Sequence, residues 1–424
     1  MLPALTRWCR IRTMMSTPPQ RVGARWMTLF TLAWLAIWMV QLTPVQYLLP
    51  LQLDQSDENW TAGVVSAGIV LGVGGLAGVV AAPAIGAVSD RSRSPWGRRR
   101  PWAVAGVWLA AVCLALTGLA QGAWAVGACW VGVSVGVAVA SAAFTALIAD
   151  QLPPHQRGAA SSAIGSSQAV SIVIGVGLMV LLGLSIAAEY LLLAGIVAVF
   201  GTAAALLLPD PPPGPAEPSA RDRVRFDSLR DRDFGWMLGG RLIANVGNAL
   251  GTALLFFYLR HGLGQPKGEA DDNLLLLIVI YTVFVVIASV IAGIVSDRTG
   301  RRRGLTALSA MVQALSGVLL VVAPSFETTL FAAALMGLGY GGFSTVGLAF
   351  ATDLLPDERD HARDLGIVNV AAALGQLSGP LLGALFVVLS GGFWLVFLMA
   401  AVLSVAGGVM TGIARQRAPV AARR

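Results

Sequence analysis

The stretch Gly293-Ile-Val-Ser-Asp297-Arg298-Thr-Gly300-Arg301-Arg302-Arg303 has an earlier counterpart, Gly86-Ala-Val-Ser-Asp90-Arg91-Ser-Arg93-Ser-Pro-Trp96-Gly97-Arg98-Arg99-Arg100. Gly86 and Gly293 stand 207 residues apart. A second pair keeps nearly the same offset: Ala149-Asp150-Gln-Leu-Pro recurs as Thr352-Asp353-Leu-Leu-Pro. The chain is therefore read as two parallel repeats. A basic loop alone explains neither glycine nor aspartate at fixed offsets, twice over. Glycine permits a tight turn and close helix approach, and an aspartate at a helix end can pair with a basic neighbour.

Each copy follows a long apolar run. Hydrophobic residues make up 56% of the 424-residue chain and charged residues 12%, with a mean hydropathy of +0.75. A soluble domain carries about 25% charged residues, so the apolar excess must face lipid. Residues 26–49 and 102–119 carry no charged side chain, and each approaches the roughly 20 apolar residues that cross a bilayer core. Twelve such spans are expected, near 26–49, 62–85, 102–120, 123–149, 159–183, 186–208, 234–259, 273–296, 304–323, 328–351, 365–388 and 391–413.

The expected fold is an all-α membrane protein of 12 transmembrane helices in two six-helix, pseudo-symmetric halves. It divides into a basic tail (1–25), a first bundle (26–208), a Pro-rich and charged linker (209–233), a second bundle (234–413) and a short tail (414–424). Parallel repeats of this kind rock against each other around a site near the midplane. Translation could start at Met1 or at Met14 or Met15.

Of the 29 lysines and arginines, all but Arg241, Arg260 and Lys267 fall in the tails and in alternate loops. That asymmetry predicts a multi-pass protein of the cell membrane with both termini cytoplasmic. It also accounts for the net charge of +7 without nucleic acid as a partner. The three cysteines, Cys9, Cys113 and Cys129, form no disulfide or metal framework. Glycine runs such as Gly72 to Gly78, Gly132-x-x-x-Gly136 and Gly337 to Gly342 lie inside apolar spans. They are read as surfaces for close helix packing.

The two basic loops resemble the signature loop of the major facilitator superfamily, Gly-x-x-x-Asp-Arg-x-Gly-Arg-Arg. The resemblance extends over the whole chain and implies that fold. It also implies a brace at the cytoplasmic gate, carried by Gly86, Asp90, Arg91, Gly97, Arg98, Gly293, Asp297, Arg298, Gly300 and Arg301. The first copy has four extra residues before Gly97. In that longer form it is similar to the glycoside–pentoside–hexuronide cation symporters and the sucrose-transporter-like branch near them, which implies a sugar or glycoside solute and a coupling proton or cation. An acidic loop with Asp353, Asp357, Glu358 and Asp360 is expected to face the basic residues 91–100 if the halves dock as in that superfamily.

Polar residues within the spans are the candidates for a cavity. Arg241, Asn245 and Asn248 fall at i, i+4 and i+7, one face of a helix. A cation at that depth either snorkels to the interface or marks a site; asparagines also serve as interhelical glue. Trp34, Trp38 and Gln41 share a face of the first span, with Gln46 beyond Pro44. Indole rings and amides suit a sugar, and tryptophans at such positions also pack or face lipid. Gln168, Tyr340, Thr345, Asn369 and Gln376 complete the set, since the resemblance implies a cavity lined mainly by helices 1, 4, 7 and 10.

No Asp, Glu or His lies in the middle of any expected span, so the intramembrane carboxylates of the symporter branch have no counterpart here. There is no nucleotide-binding motif, metal spacing or nucleophile–base set, so neither an enzyme nor a cofactor is expected. The expected function is secondary transport of a small polar solute, foremost a glycoside, by a monomer in the lipid bilayer. The alternatives are export of a drug or metabolite, and a non-transporting receptor or scaffold of the same fold.

Overall fold

Backbone polar groups in hydrocarbon must be satisfied internally, and an α-helix does this within one segment. The computed structural model describes residues 22–54, 59–90, 92, 94–210, 231–354 and 361–415, and every regular element among them is helical. In chain order the long helices are α1 (Ala24–Leu53), α2 (Trp60–Asp90), α3 (Arg100–Leu119), α4 (Ala123–Gln151), α5 (Pro154–Leu182) and α6 (Ile186–Leu207). There follow α7 (Arg232–Ala253, continued by Leu255–Gly262), α8 (Lys267–Thr299), α9 (Arg302–Val322), α10 (Phe326–Leu354), α11 (His361–Ser390) and α12 (Trp394–Ile413).

Eleven of these are long and apolar enough to cross a membrane, and α7 with its continuation, bent by 41°, makes a twelfth. The expected twelve-helix architecture is present. Several helices outrun their apolar cores, α8 most clearly, since hydropathy marks 273–296 but the helix runs from Lys267 to Thr299. The chain before residue 22, residues 211–230 and the chain after 415 lie outside the described residues. So do Arg91, Asp357, Glu358 and Asp360, and Asp90 is described by its backbone alone.

Helices alternate in direction, so the first and last described residues, Val22 and Arg415, and the described residues of the two basic loops lie on one face, here the termini face. The ends of α1 and α7 lie on the opposite, far face. Both of those helices distort as they reach it. Pro44 lacks an N–H and crowds the preceding turn, and α1 opens into a π-helical turn over Pro44–Leu48 before resuming at Leu49–Leu53. Without any proline, α7 breaks at Leu254 and ends in a π-helical turn over Tyr258–Gly262.

The glycine runs pack helices as their spacing predicts. A methyl on Gly106 would lie 2.5 Å from the Ala140 nitrogen, and one on Gly136 would lie 2.5 Å from the Ala110 nitrogen, so α3 and α4 touch backbone to backbone. Gly240 and Gly247 do the same for α7 against α12. Between the first six helices and the last six, Gly68, Gly72 and Gly75 of α2 admit Pro380, Leu381 and Leu377 of α11. These contacts lie in the helix portions nearer the far face. The outward side of α8 shows Val283, Val286, Ile287, Val290 and Ile291, a surface suited to lipid.

Candidate functional site

At the termini face the two repeated loops build one arrangement twice. Gly97 (φ +114°) and Gly300 (φ +64°) turn in the left-handed region that glycine reaches without strain. Immediately after each turn, an arginine swings back to an aspartate 51 residues further on. Arg99 Nε donates to Asp150 at 3.0 Å and its Nη1 donates to Ser89 at 2.8 Å. Arg302 Nη1 donates to Asp353 at 2.6 Å, with Nη2 3.5 Å from Asp297. The first loop is further pinned by Asp210, whose Oδ2 accepts from the backbone N–H of Arg99 (2.7 Å) and of Arg100 (2.6 Å), capping the start of α3.

The motif points to Arg98 and Arg301; the next residue in each loop, Arg99 and Arg302, also reaches a carboxylate. The missed signal was in the numbering: Arg99 and Arg302 are 203 apart, as are Asp150 and Asp353. Arg298, Arg301 and Asp297 are exposed, Gly86 lines a cleft with Ser89 and Arg99, and Gly293 packs beside Thr345. Asp353, the described member of the acidic loop, pairs with Arg302 of its own six helices. In this conformation the described ion pairs of the termini face stay within each set of six.

Midway along the helices lies a polar network, drawn from α7, α8, α10 and α11. Gln376 Nε2 reaches Asn248 Oδ1 (3.3 Å), Tyr340 Oη (3.4 Å) and Asn245 Oδ1 (3.5 Å). Asn248 Nδ2 donates to Tyr281 Oη at 3.2 Å, and the Tyr281 and Tyr340 rings stack at 6.4 Å. Asn245 Nδ2 donates to the Arg241 carbonyl one turn back at 2.7 Å. Arg241 is 7% exposed and its Nη1 reaches the Ser344 carbonyl at 3.4 Å. The helical face of Arg241, Asn245 and Asn248 read from the sequence is thus brought together with Tyr340 and Gln376. Tyr281 was missed because nothing distinguishes it from an apolar ring in the span of α8.

The other candidates fall elsewhere. Trp34 and Trp38 belong to a ladder, Trp26, Phe30, Trp34 and Trp38, with successive ring centroids 4.9, 6.3 and 6.0 Å apart. Trp34 is packed in the core of the first helices, and both indole N–H groups are buried without a partner. Gln41 is half-buried. Gln46 lines a small cavity with Thr252, Tyr281 and Met336, next to the network. Thr345 is half-buried; Gln168 and Asn369 are exposed and join no described bond of the network.

The far face is closed. Asp54, at the end of α1, lies 2.8 Å from His261 Nε2 and 3.5 Å from Arg260 Nε, at the end of α7. Trp60 stacks on His261 (5.4 Å) and on Phe393 (5.3 Å), so a layer of rings covers the junction. Just inside it, Glu189 of α6 is 3% exposed, with Oε2 unpartnered. Asp271 and Lys267 of α8 lie within electrostatic reach of it, as does Tyr47 of α1.

Comparison with known proteins matches this architecture. The nucleoside transporter NupG superposes with a TM-score of 0.72 at 13% identity, over 91% of this chain and 98% of that one. A D-xylose-proton symporter gives 0.67 at 14% identity, over 91% and 96%; at such identities the likeness is one of fold. Curated relatives match over shorter stretches. A probable 4-methylmuconolactone transporter of Cupriavidus pinatubonensis is 42% identical over 20% of this chain and 19% of its own length. Multidrug resistance protein Stp of Mycobacterium tuberculosis is 28% identical over 28% and 22%. The bacillibactin exporter of Bacillus subtilis is 30% identical over 28% and 31%. The chain thus spans less than a third of the length of each of these three. The sequence profile of the Major Facilitator Superfamily matches residues 92–276 and 242–424, and with the twelve-helix fold this makes the chain a multi-pass membrane protein of the major facilitator superfamily.

Proposed function

We propose that this protein is a secondary transporter that carries a small polar solute by alternating access, in a cell membrane with its arginine-rich face cytoplasmic. One observation carries the reading: a polar network midway along the helices lies between a far face closed by Asp54 and His261 and a termini face whose described ion pairs each stay within one set of six helices. A solute held at the network would have a route to the cytoplasmic side only. Exchange of the far-face contacts for contacts between the basic loops would reverse that access. Names of relatives support transport as the activity, since all three are described as transporters, exporters or resistance proteins.

Within this reading the solute is a glycoside or related polyhydroxylated molecule. Its hydroxyls would meet the amides of Asn245, Asn248 and Gln376, with the half-buried Trp38, whose indole N–H has no partner, as a further donor. Glu189 and Asp271 are the carboxylates available to a coupling proton. Uptake of labelled sucrose and related glycosides into proteoliposomes, with and without an inward proton gradient, tests this. Accumulation that collapses with a protonophore supports symport, and equilibration alone means a facilitator. Absence of sugar flux in folded protein sinks the sugar reading. Export of an organic metabolite is the second reading, favoured by the buried cation Arg241.

A further inference from the structure

Arg241 is the one feature of the network that a neutral solute leaves unexplained. It sits nine residues into α7, about 14 Å along the helix axis at 1.5 Å per residue. Its guanidinium lies inside the bundle, against the Ser344 carbonyl and Gly347 of α10. Ser344 and Gly347 are ten and seven residues from the end of α10, so the contact lies about 10–15 Å from the helix end by the same rise. Snorkelling, one of the two roles its position allows, is therefore not what the side chain does.

The group is also under-satisfied. A guanidinium carries five N–H donors; here one of them makes a single long bond, at 3.4 Å, and Nε is buried with no partner. Among the described residues no carboxylate lies within ion-pair distance of Arg241. A buried charge without a counter-charge is costly, and the cost is met when an anion arrives. The planar fork suits a carboxylate in particular, because two parallel N–H bonds match its two oxygens.

We propose that Arg241 is the counter-charge for a carboxylate on the solute, so that this site takes a small organic acid. The amides of Asn245, Asn248 and Gln376 and the stacked rings of Tyr281 and Tyr340 then hold the rest of a hydroxylated or planar molecule. The inference rests on the transporter reading for the fate of the bound acid, but binding itself is independent of it.

The test uses the purified full chain in detergent, with quenching of its tryptophan fluorescence as readout. The probes are benzoate, 4-hydroxybenzoate and glucuronate, each set against a neutral counterpart: benzamide, 4-hydroxybenzyl alcohol and glucose. At least one acid is expected to bind ten-fold or more tightly than its counterpart. Arg241→Gln should remove that preference and Arg241→Lys should keep part of it. Equal binding of acid and counterpart, no binding of any acid, or an Arg241→Gln variant that binds as well as wild type would overturn the proposal. So would equal competition by chloride or phosphate at matched ionic strength, which would mean a general anion site. If Arg241→Gln does not fold, the wild-type preference decides alone. Flux measured on the same probes separates the two readings. Binding without flux rejects transport and keeps the acid site; flux of neutral solutes with no preference for acids does the reverse.

Discussion

Asp54 and His261 stand 207 residues apart, the separation of Gly86 from Gly293, and their side chains meet at 2.8 Å. Residues that occupy the same place in two repeats can touch only near the axis that relates the repeats. The contact therefore puts that axis through the far-face closure, where both α1 and α7 loosen into π-helical turns. Such turns trade a regular hydrogen-bond ladder for local adaptability. The two helices that must move apart for the far face to open are the two that are irregular there.

The termini-face brackets are symmetric in sequence but not in burial, and this yields a first prediction. Arg99 is 7% exposed beside Asp150, whereas Arg302 is 23% exposed and keeps Asp297 when Asp353 is lost. Asp150→Asn strips a buried cation of that carboxylate and should cost roughly 1–2 kcal/mol. Asp353→Asn should cost less than about 1 kcal/mol. Thermal unfolding in detergent should show a clearly larger drop for Asp150→Asn; equal drops would remove the asymmetry.

Much of this was legible in the sequence. Hydropathy and the paired motif yield the twelve helices and their repeat, because lipid allows few alternatives to helix. The i, i+4, i+7 spacing of Arg241, Asn245 and Asn248 anticipates a shared face, and α7 keeps it. What the sequence hides is whatever depends on two distant segments meeting. Asp54 reads as an acidic loop residue until His261 is beside it. Trp34 and Trp38 read as sugar platform, packing or lipid contact, the last two favoured, and only the core that surrounds Trp34 shows that it is packed.

Closure of the far face also rests on small residues of α2. A Cβ on Gly68 would lie 2.8 Å from the Pro380 carbonyl oxygen and 2.6 Å from Ala384 Cβ. These neighbours are backbone and a short side chain, so they cannot swing aside. Gly68→Val should hold α2 and α11 apart without disturbing contacts inside either set of six. Spin labels on α2 and α11 near the far face should then show a longer distance distribution than wild type, and an unchanged one would reject the close packing described.

Gln376 and Asn248 form the centre of the network, each with partners that would be left unpaired by truncation. Losing a paired donor to a solute typically costs about 1–3 kcal/mol. Asn248→Ala and Gln376→Ala should each raise the apparent KM or Kd for the transported solute about ten- to hundred-fold, with the fold intact by gel filtration. Unaltered affinity in both would move the binding site elsewhere.

Glu189 is buried with an unpartnered oxygen and lies within reach of Asp271 across α6 and α8. If this pair carries a coupling proton, Glu189→Gln should abolish accumulation driven by a proton gradient while leaving solute exchange at equilibrium. Accumulation equal to wild type would show that the carboxylate has no part in coupling.

The most direct test of alternating access is the two-sided accessibility of one reporter cysteine. Thr252→Cys, beside Gln46 and Tyr281 under the far-face seal, is placed in a chain whose Cys9, Cys113 and Cys129 are alanine. Its labelling by an impermeant maleimide is compared between intact cells and inside-out vesicles, with and without Asp54→Asn. The pair lost is worth about 1 kcal/mol, a population shift of about five-fold. Alternating access predicts slow labelling from the far face in the parent, rising about five-fold with Asp54→Asn as labelling from the termini face falls. Labelling from the far face that is fast in the parent, or the same in both chains, would contradict a protein that opens to one side at a time through this contact.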